Sequence, residues 1–169
     1  ASADVKNMAK VTDAGLLLGQ SVAFTTNSLE IVVEKGNPLF IDSLAQLADP
    51  SLLFVTCPIE VPIGGYTAEV LRNAGVTVTP ASLEENVKGI LTKVALGEAD
   101  AGIVYRTDIL AAGNSVTGVP IADNVNVTTK YLVGALRDSR NQDASQRFII
   151  FLSSEQGQKI FSQFGFGPA

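Results

Sequence analysis

Leu52-Leu53-Phe54-Val55-Thr56-Cys57, followed closely by Val61-Pro62-Ile63-Gly64-Gly65-Tyr66, decides how this chain folds. The first run is continuously apolar, the pattern of a strand covered on both faces of a sheet. The second carries a proline suited to the approach to a helix and two glycines at the opening. From Gly64 to Asn73, Tyr66, Val70 and Leu71 recur at helical spacing, and Gly75 supplies a stop. Strand, short turn and helix in that order make an α/β chain. Unsatisfied N–H groups at a glycine-rich helix start suit a small anion, and the glycines let the backbone approach it. The same residues also serve as a plain glycine-containing turn. They are neither a Walker loop nor a complete Gly-x-Gly-x-x-Gly.

Working outward, the pattern repeats. Val76-Thr77-Val78-Thr79 reads as a second short strand. Ser82-Leu83-Glu84-Glu85 reads as a capping box, opening a helix with Val87, Ile90, Leu91, Val94 and Leu96 on its apolar face and a stop near Gly97. Ala101 to Tyr105 is the next strand, and a helix follows over Thr107 to Ala112. Tyr105 thus stands at a strand's carboxyl end, where open α/β sheets place ligands. It reads either as a core residue with its hydroxyl at the rim or as a neutral donor. Arg106 and Asp108 beside it suit a surface pair or a helix cap.

Ser28 to Val33 is a β-branched strand ahead of the Lys35-Gly36-Asn37-Pro38 turn, and Ser43 to Gln46 is a capping box for a short helix ending before Pro50. Beyond the central series, Val119-Pro120-Ile121 is edge-like and Val125 to Leu136 is extended. Gln142–Leu152 and Ser154–Phe164 are terminal helices, the second with a capping box at Ser153 and Gln156. Two lobes follow from this pattern. Residues 34–128 form the second lobe, residues 1–28 with 136–169 form a mostly helical first lobe, and 29–33 with 129–135 are the crossing strands. Helices without a sheet bury their apolar faces poorly, so the first lobe reads as incomplete.

Composition excludes several functions. The 169 residues are 46% hydrophobic and 17% charged, which argues against disorder. A net charge of −5 with no basic stripe argues against nucleic acid as a partner. An acidic chain must hold an anion by local dipoles and hydrogen bonds. There is no histidine, the commonest general base and metal ligand. Cys57 is the single cysteine and reads as a buried strand residue without a partner base. No paired carboxylates or metal-ligand spacing stand out, so the chain reads as a binding protein with no cofactor, not an enzyme.

These segments together resemble the extracytoplasmic molybdate-binding proteins of bacterial ABC transporters, which have the type II periplasmic-binding-protein fold. The resemblance rests on Ser2-Ala3-Asp4 with Met8, Asn27 to Val33, Val61 to Tyr66, Glu85 to Ile90, Gly97 to Tyr105, and Glu155-Gln156-Gly157 with Phe164-Gly165-Phe166. It implies that the oxyanion is held by neutral donors: the backbone N–H of Ile63, the backbone N–H of Val87 and the hydroxyl of Tyr105. Ile63 stands where the family has a small residue, so its side chain must point away from the ligand. The family's two donor serines have no counterpart in Ser2 or Ser21; they and some strands of the first lobe belong ahead of the point where this sequence begins. The resemblance further implies a monomer in the periplasm, or anchored on the outer face of the cell membrane. It would capture molybdate or tungstate between two lobes for a membrane permease. Another oxyanion such as sulfate or phosphate, or service as the effector-binding domain of a transcription regulator, are the alternative readings.

Overall fold

The computed structural model describes residues 1–169. The chain divides into two compact units, residues 28–127 and residues 1–27 with 128–169.

The 28–127 unit is built on a five-stranded mixed sheet of β2 (Leu29–Glu34), β3 (Phe54–Thr56), β4 (Ser82–Leu83), β5 (Ala101–Tyr105) and β6 (Val116–Pro120), in the order β4-β3-β5-β2-β6. Strands β4, β3 and β5 are mutually parallel, whereas β2 runs antiparallel to β5 and β6. Central β2 and β5 are almost wholly apolar because helices cover both faces. Ile31, Val32, Ile103 and Val104 are completely buried. Proline occurs in β6, at the edge, where a missing N–H breaks no ladder.

Register assigns the faces. Val55, Gly102 and Val32 lie side by side, so they share one face, and Phe54, Thr56, Ala101, Ile103 and Tyr105 line the other. Helix α3 (Val87–Ala95) covers the first face: a Cβ on Gly102 would collide with Ile90. Glycine at this central position lets the helix sit close. Helix α2 (Pro62–Asn73) covers the second face, where the Tyr66 ring meets Tyr105 edge-on at 6.4 Å between centroids. Helix α4 (Arg106–Ala112) runs straight on from β5.

The other unit pairs β1 (Val22–Asn27) with β7 (Thr129–Val133) as an antiparallel two-stranded sheet, with a register slip between Ala23 and Thr25. Helices α1 (Val5–Asp13), α5 (Gln142–Leu152) and α6 (Glu155–Gln163) belong to the same unit. Its small core is Phe24, Val133 and Leu152, with Tyr131, Ile149 and Phe161 against them. Gly167 closes on β1 through reciprocal backbone hydrogen bonds with Thr26.

Several expectations need correction. Residues 22–27, read with a mostly helical segment, form a strand, since Val22, Ala23, Thr25, Thr26 and Asn27 find partners some hundred residues away in β7. Residues 76–79 are irregular, and the strand falls instead at Ser82–Leu83, where β3 offers an edge. Ser82 to Glu85 is therefore not a capping box: Ser82 Oγ donates to Glu84 Oε1 at 2.6 Å, and the helix starts later. The cap of α6 is Ser154, which accepts from the Gly157 N–H at 3.2 Å, one residue beyond the expected Ser153.

Candidate anion-binding site

In the 28–127 unit, three adjacent parallel strands end at one edge of the sheet. Beyond β4 the chain enters α3, beyond β3 it enters α2, and β5 ends in Tyr105. Neighbouring strands lie about 4.8 Å apart. The starts of two helices on opposite faces and one phenol are thus gathered along the carboxyl edge of three consecutive strands. A short bond ties this edge together: the Glu84 N–H donates to Thr56 O at 2.7 Å.

Ile63 is the second residue of α2, after Pro62. Its N–H belongs to the first turn, where a helix offers no internal acceptor. The whole residue is 2% exposed, and its side chain packs in the core of this unit. The two glycines that follow have a structural cause. A Cβ on Gly64 would overlap the carbonyl oxygens of Cys57 and Pro58, so α2 packs against the strand-to-helix turn with no room for a side chain. Gly65 is less constrained, with Ile59 O at 3.2 Å from such a Cβ. Close packing of helix on turn is thus a structural cause for Gly64.

Val87 is the first residue of α3. Asn86 is its N-cap, with extended backbone and Oδ1 accepting from the N–H groups of Lys88 at 3.0 Å and Gly89 at 3.2 Å. This cap takes the second and third N–H groups of the helix and leaves that of Val87 directed out of the helix end. Asparagine just ahead of an amphipathic helix carrying Val87, Ile90 and Leu91 is a legible N-cap signal, and the Ser82–Glu85 pattern masked it.

Tyr105 is half-buried, and its N–H donates to Asp108 Oδ2 at 3.2 Å. Burial raises the Asp108 carboxyl above its ordinary value, and the bond from the Tyr105 N–H partly offsets this. Behind the edge, Lys93 Nζ lies 2.7 Å from Glu84 Oε1. Hydrogen bonds from Lys93 and Ser82 hold the Glu84 carboxyl below its usual range. On the α4 side, burial raises Glu30, and Arg106 at 3.8 Å partly opposes this. Cys57 is 3% exposed, and burial raises its thiol, so it is poorly suited to act as a nucleophile. The hydroxyls of Thr56, at the end of β3, and Thr67, on the buried side of α2, are enclosed without a hydrogen-bond partner. Sequence reading did not single out either threonine.

The model of the bacterial extracellular solute-binding protein family matches residues 1–167. The chain belongs to that family. Among relatives of this solute-binding protein, the molybdate-binding protein ModA of Mycobacterium tuberculosis is 36% identical over 166 residues, covering 98% of this chain and 64% of the relative. The putative ABC transporter substrate-binding lipoprotein YvgL of Bacillus subtilis is 26% identical, over 92% of this chain and 61% of the relative. The chain thus spans a little under two thirds of the length of these curated relatives. Among solved structures, the substrate-binding domain of a putative molybdenum ABC transporter from Clostridium difficile matches with a TM-score of 0.84 and 27% identity, over 99% of this chain and 75% of that one. The sulfate-binding protein SubI of M. tuberculosis, at 18% identity and a TM-score of 0.74, shares the fold. The type II periplasmic-binding-protein fold expected from the sequence is the one found.

Proposed function

We propose that this solute-binding protein captures molybdate, or tungstate of the same charge and shape, outside the cytoplasmic membrane and delivers it to the permease of an ABC transporter. One observation carries the reading. The N–H of Ile63, the N–H of Val87 and the Tyr105 side chain stand at the carboxyl edge of three adjacent strands, and the Ile63 side chain is withdrawn into the core. Each helix start favours negative charge by about 0.3–1 kcal/mol, more where partly buried. The similarity to ModA supports molybdate as the cargo. In this reading the three donors are neutral, so a dianion is recognised by donor spacing and cavity size, with no cationic partner.

A thermal melt with millimolar molybdate, with tungstate and sulfate in parallel, tests the reading. A ligand at about 1,000 times its Kd adds about 4 kcal/mol of stability. A rise in Tm with molybdate and none with sulfate is expected, and the reverse order would make sulfate the cargo. Tyr105→Phe removes one neutral donor to a charged ligand, worth about 1.5–3 kcal/mol. Affinity should fall by about ten- to a hundredfold. Unchanged molybdate affinity in Tyr105→Phe removes that residue from the site.

A further inference from the structure

The segment that delivers the start of α3 has no apolar seat. None of the residues Ala81 to Asn86 is buried, and Leu83 is 58% exposed. Yet this segment decides where the Val87 N–H stands relative to Ile63 and Tyr105. Polar ties hold it instead. The Ala81 N–H donates to Phe54 O and the Glu84 N–H to Thr56 O, both at 2.7 Å. Three side chains complete the attachment. Ser82 Oγ donates to Glu84 Oε1 at 2.6 Å, Lys93 Nζ lies 2.7 Å from the same oxygen, and Lys93 Nζ donates to Ser82 Oγ at 3.0 Å. Each corner of this triangle touches the other two. Together they join β4, the turn after it and the last turn of α3.

A glycine nearby has its cause in the same arrangement. Glycine within a helix costs about 1 kcal/mol against alanine, and Gly89 stands in the first turn of α3. A Cβ there would lie 3.1 Å from Glu84 Cβ and 3.4 Å from Glu84 Oε2, so glycine makes the room into which the Glu84 side chain folds. The ion pair itself is tight. The chain's other pair, Arg106 with Glu30, is open to 3.8 Å. The Glu84 and Lys93 side chains are 13% and 33% exposed, which shields them from much of the screening that makes exposed pairs worth little.

We propose that Ser82, Glu84 and Lys93 are positioning residues for anion recognition: they lock the segment before α3 onto the end of β3 and so fix the Val87 N–H at the spacing from Ile63 and Tyr105 that the anion requires. They act through Val87 and not by touching the anion. A donor locked beforehand loses less freedom when the ligand arrives, so the triangle contributes to affinity by preorganisation. The proposal rests on the anion site proposed above.

The test compares the full chain with Lys93→Met, Glu84→Gln and the conservative Lys93→Arg, at a temperature where melts show each protein folded. Amide hydrogen exchange at Ala81 and Glu84, whose N–H groups tie the segment to β3, is followed without ligand, with the β5 amides as the measure of global opening. It should quicken by about tenfold or more over the β5 amides in Lys93→Met and Glu84→Gln. Calorimetry with molybdate, tungstate and sulfate gives the second readout. Molybdate Kd should rise by about tenfold in both variants, the scale typical of residues that support a binding group, and Lys93→Arg should restore most of it. A merely structural role would lower the melt and leave the Kd of the folded protein unmoved. The proposal is overturned if Lys93→Met keeps both exchange and Kd within about twofold of the parent, or if its Kd stays there while its melt falls. It is also overturned if Glu84→Gln binds more tightly than the parent while Lys93→Met binds more weakly, since charge and not position is then the cause. A parent that binds none of the three oxyanions overturns the anion reading and the positioning role with it, whereas a parent that binds and variants that match it overturn the positioning role alone.

Discussion

Gly64 and Gly65 are adjacent, lie in the first turn of the same helix and differ in what surrounds them. In an open helix, glycine to alanine stabilises by about 1 kcal/mol, through helix propensity alone. Gly65→Ala should fall short of that gain, since its new Cβ would press on Ile59 O at 3.2 Å and the turn must give by a few tenths of an ångström. Gly64→Ala should behave oppositely. Its Cβ would overlap the oxygens of Cys57 and Pro58 and lie 2.7 Å from the Pro58 carbonyl carbon, inside the 3.0 Å that Cβ atoms keep. The obstacle is backbone on both sides, so no rotamer change relieves it, and the start of α2 must lift off the turn. Overpacking of this kind costs about 1–3 kcal/mol. The upper part of that range applies to an obstacle that cannot repack, so the net loss after the propensity gain is about 2 kcal/mol. For a chain of this size the melting temperature should fall by about 4–8 °C, whereas Gly65→Ala stays level or rises. Lifting α2 also moves the Ile63 N–H, so Gly64→Ala should weaken molybdate binding more than Gly65→Ala does. Thermal and urea melts followed by circular dichroism decide the matter. A Gly64→Ala protein as stable as Gly65→Ala would refute the packing argument and return the glycine pair to the role of ligand access.

Other substitutions probe the same edge. Asn86→Ala removes the cap of α3 and should cost about 1 kcal/mol, with Asn86→Asp retaining most of the stability; equal melts for Ala and Asp would show that the cap contributes nothing. Thr67→Val removes a buried hydroxyl that has no partner and should stabilise by about 1 kcal/mol, whereas a loss in a urea titration would mean that the hydroxyl is satisfied in solution. Acid sensitivity has a specific origin in Glu84, whose folded carboxyl sits below its ordinary 4.5. The stability it contributes is complete above pH 4.5 and is lost as pH falls through the lower folded value, so Glu84→Gln should flatten that limb of a stability–pH curve. Glu30 and Asp108 work the other way: burial raises both, so their ionisation costs stability as pH rises through their folded values, and Asp108→Asn should remove part of that loss.

Much of the central unit was readable because its signals are local. The apolar run before Cys57, the helix closed by Gly75 and the strand ending in Tyr105 each depend on neighbours within a few residues. Errors arose where the partner is remote. Val76–Thr79 has a good strand composition and no open edge to pair with, whereas Ser82–Leu83 has a poor one and lies along β3. Segment 22–27 falls in a stretch that the pattern assigns mostly to helices, and its ladder comes from β7, about a hundred residues on. For the candidate site, residue types were legible and their causes were not. Gly64 is glycine because two carbonyl oxygens stand in its way, and a one-dimensional pattern contains no carbonyl from a preceding turn.

By itself the sequence determined the α/β class, the helix that follows Val61-Pro62, the apolar helix face running from Val87 to Leu96, the phenol at the end of β5, and the absence of histidine and of paired carboxylates. These follow from propensity, capping and composition, which act over one or two turns of chain. Only the tertiary structure decided that β4, β3 and β5 are neighbours in parallel register, which brings Ile63, Val87 and Tyr105 to a single edge. It alone decided that the Ile63 side chain is turned inward and that Ser82, Glu84 and Lys93 close on one another. Strand order is set by which long-range pairings bury the most apolar surface together, a property of the whole chain that no local segment encodes.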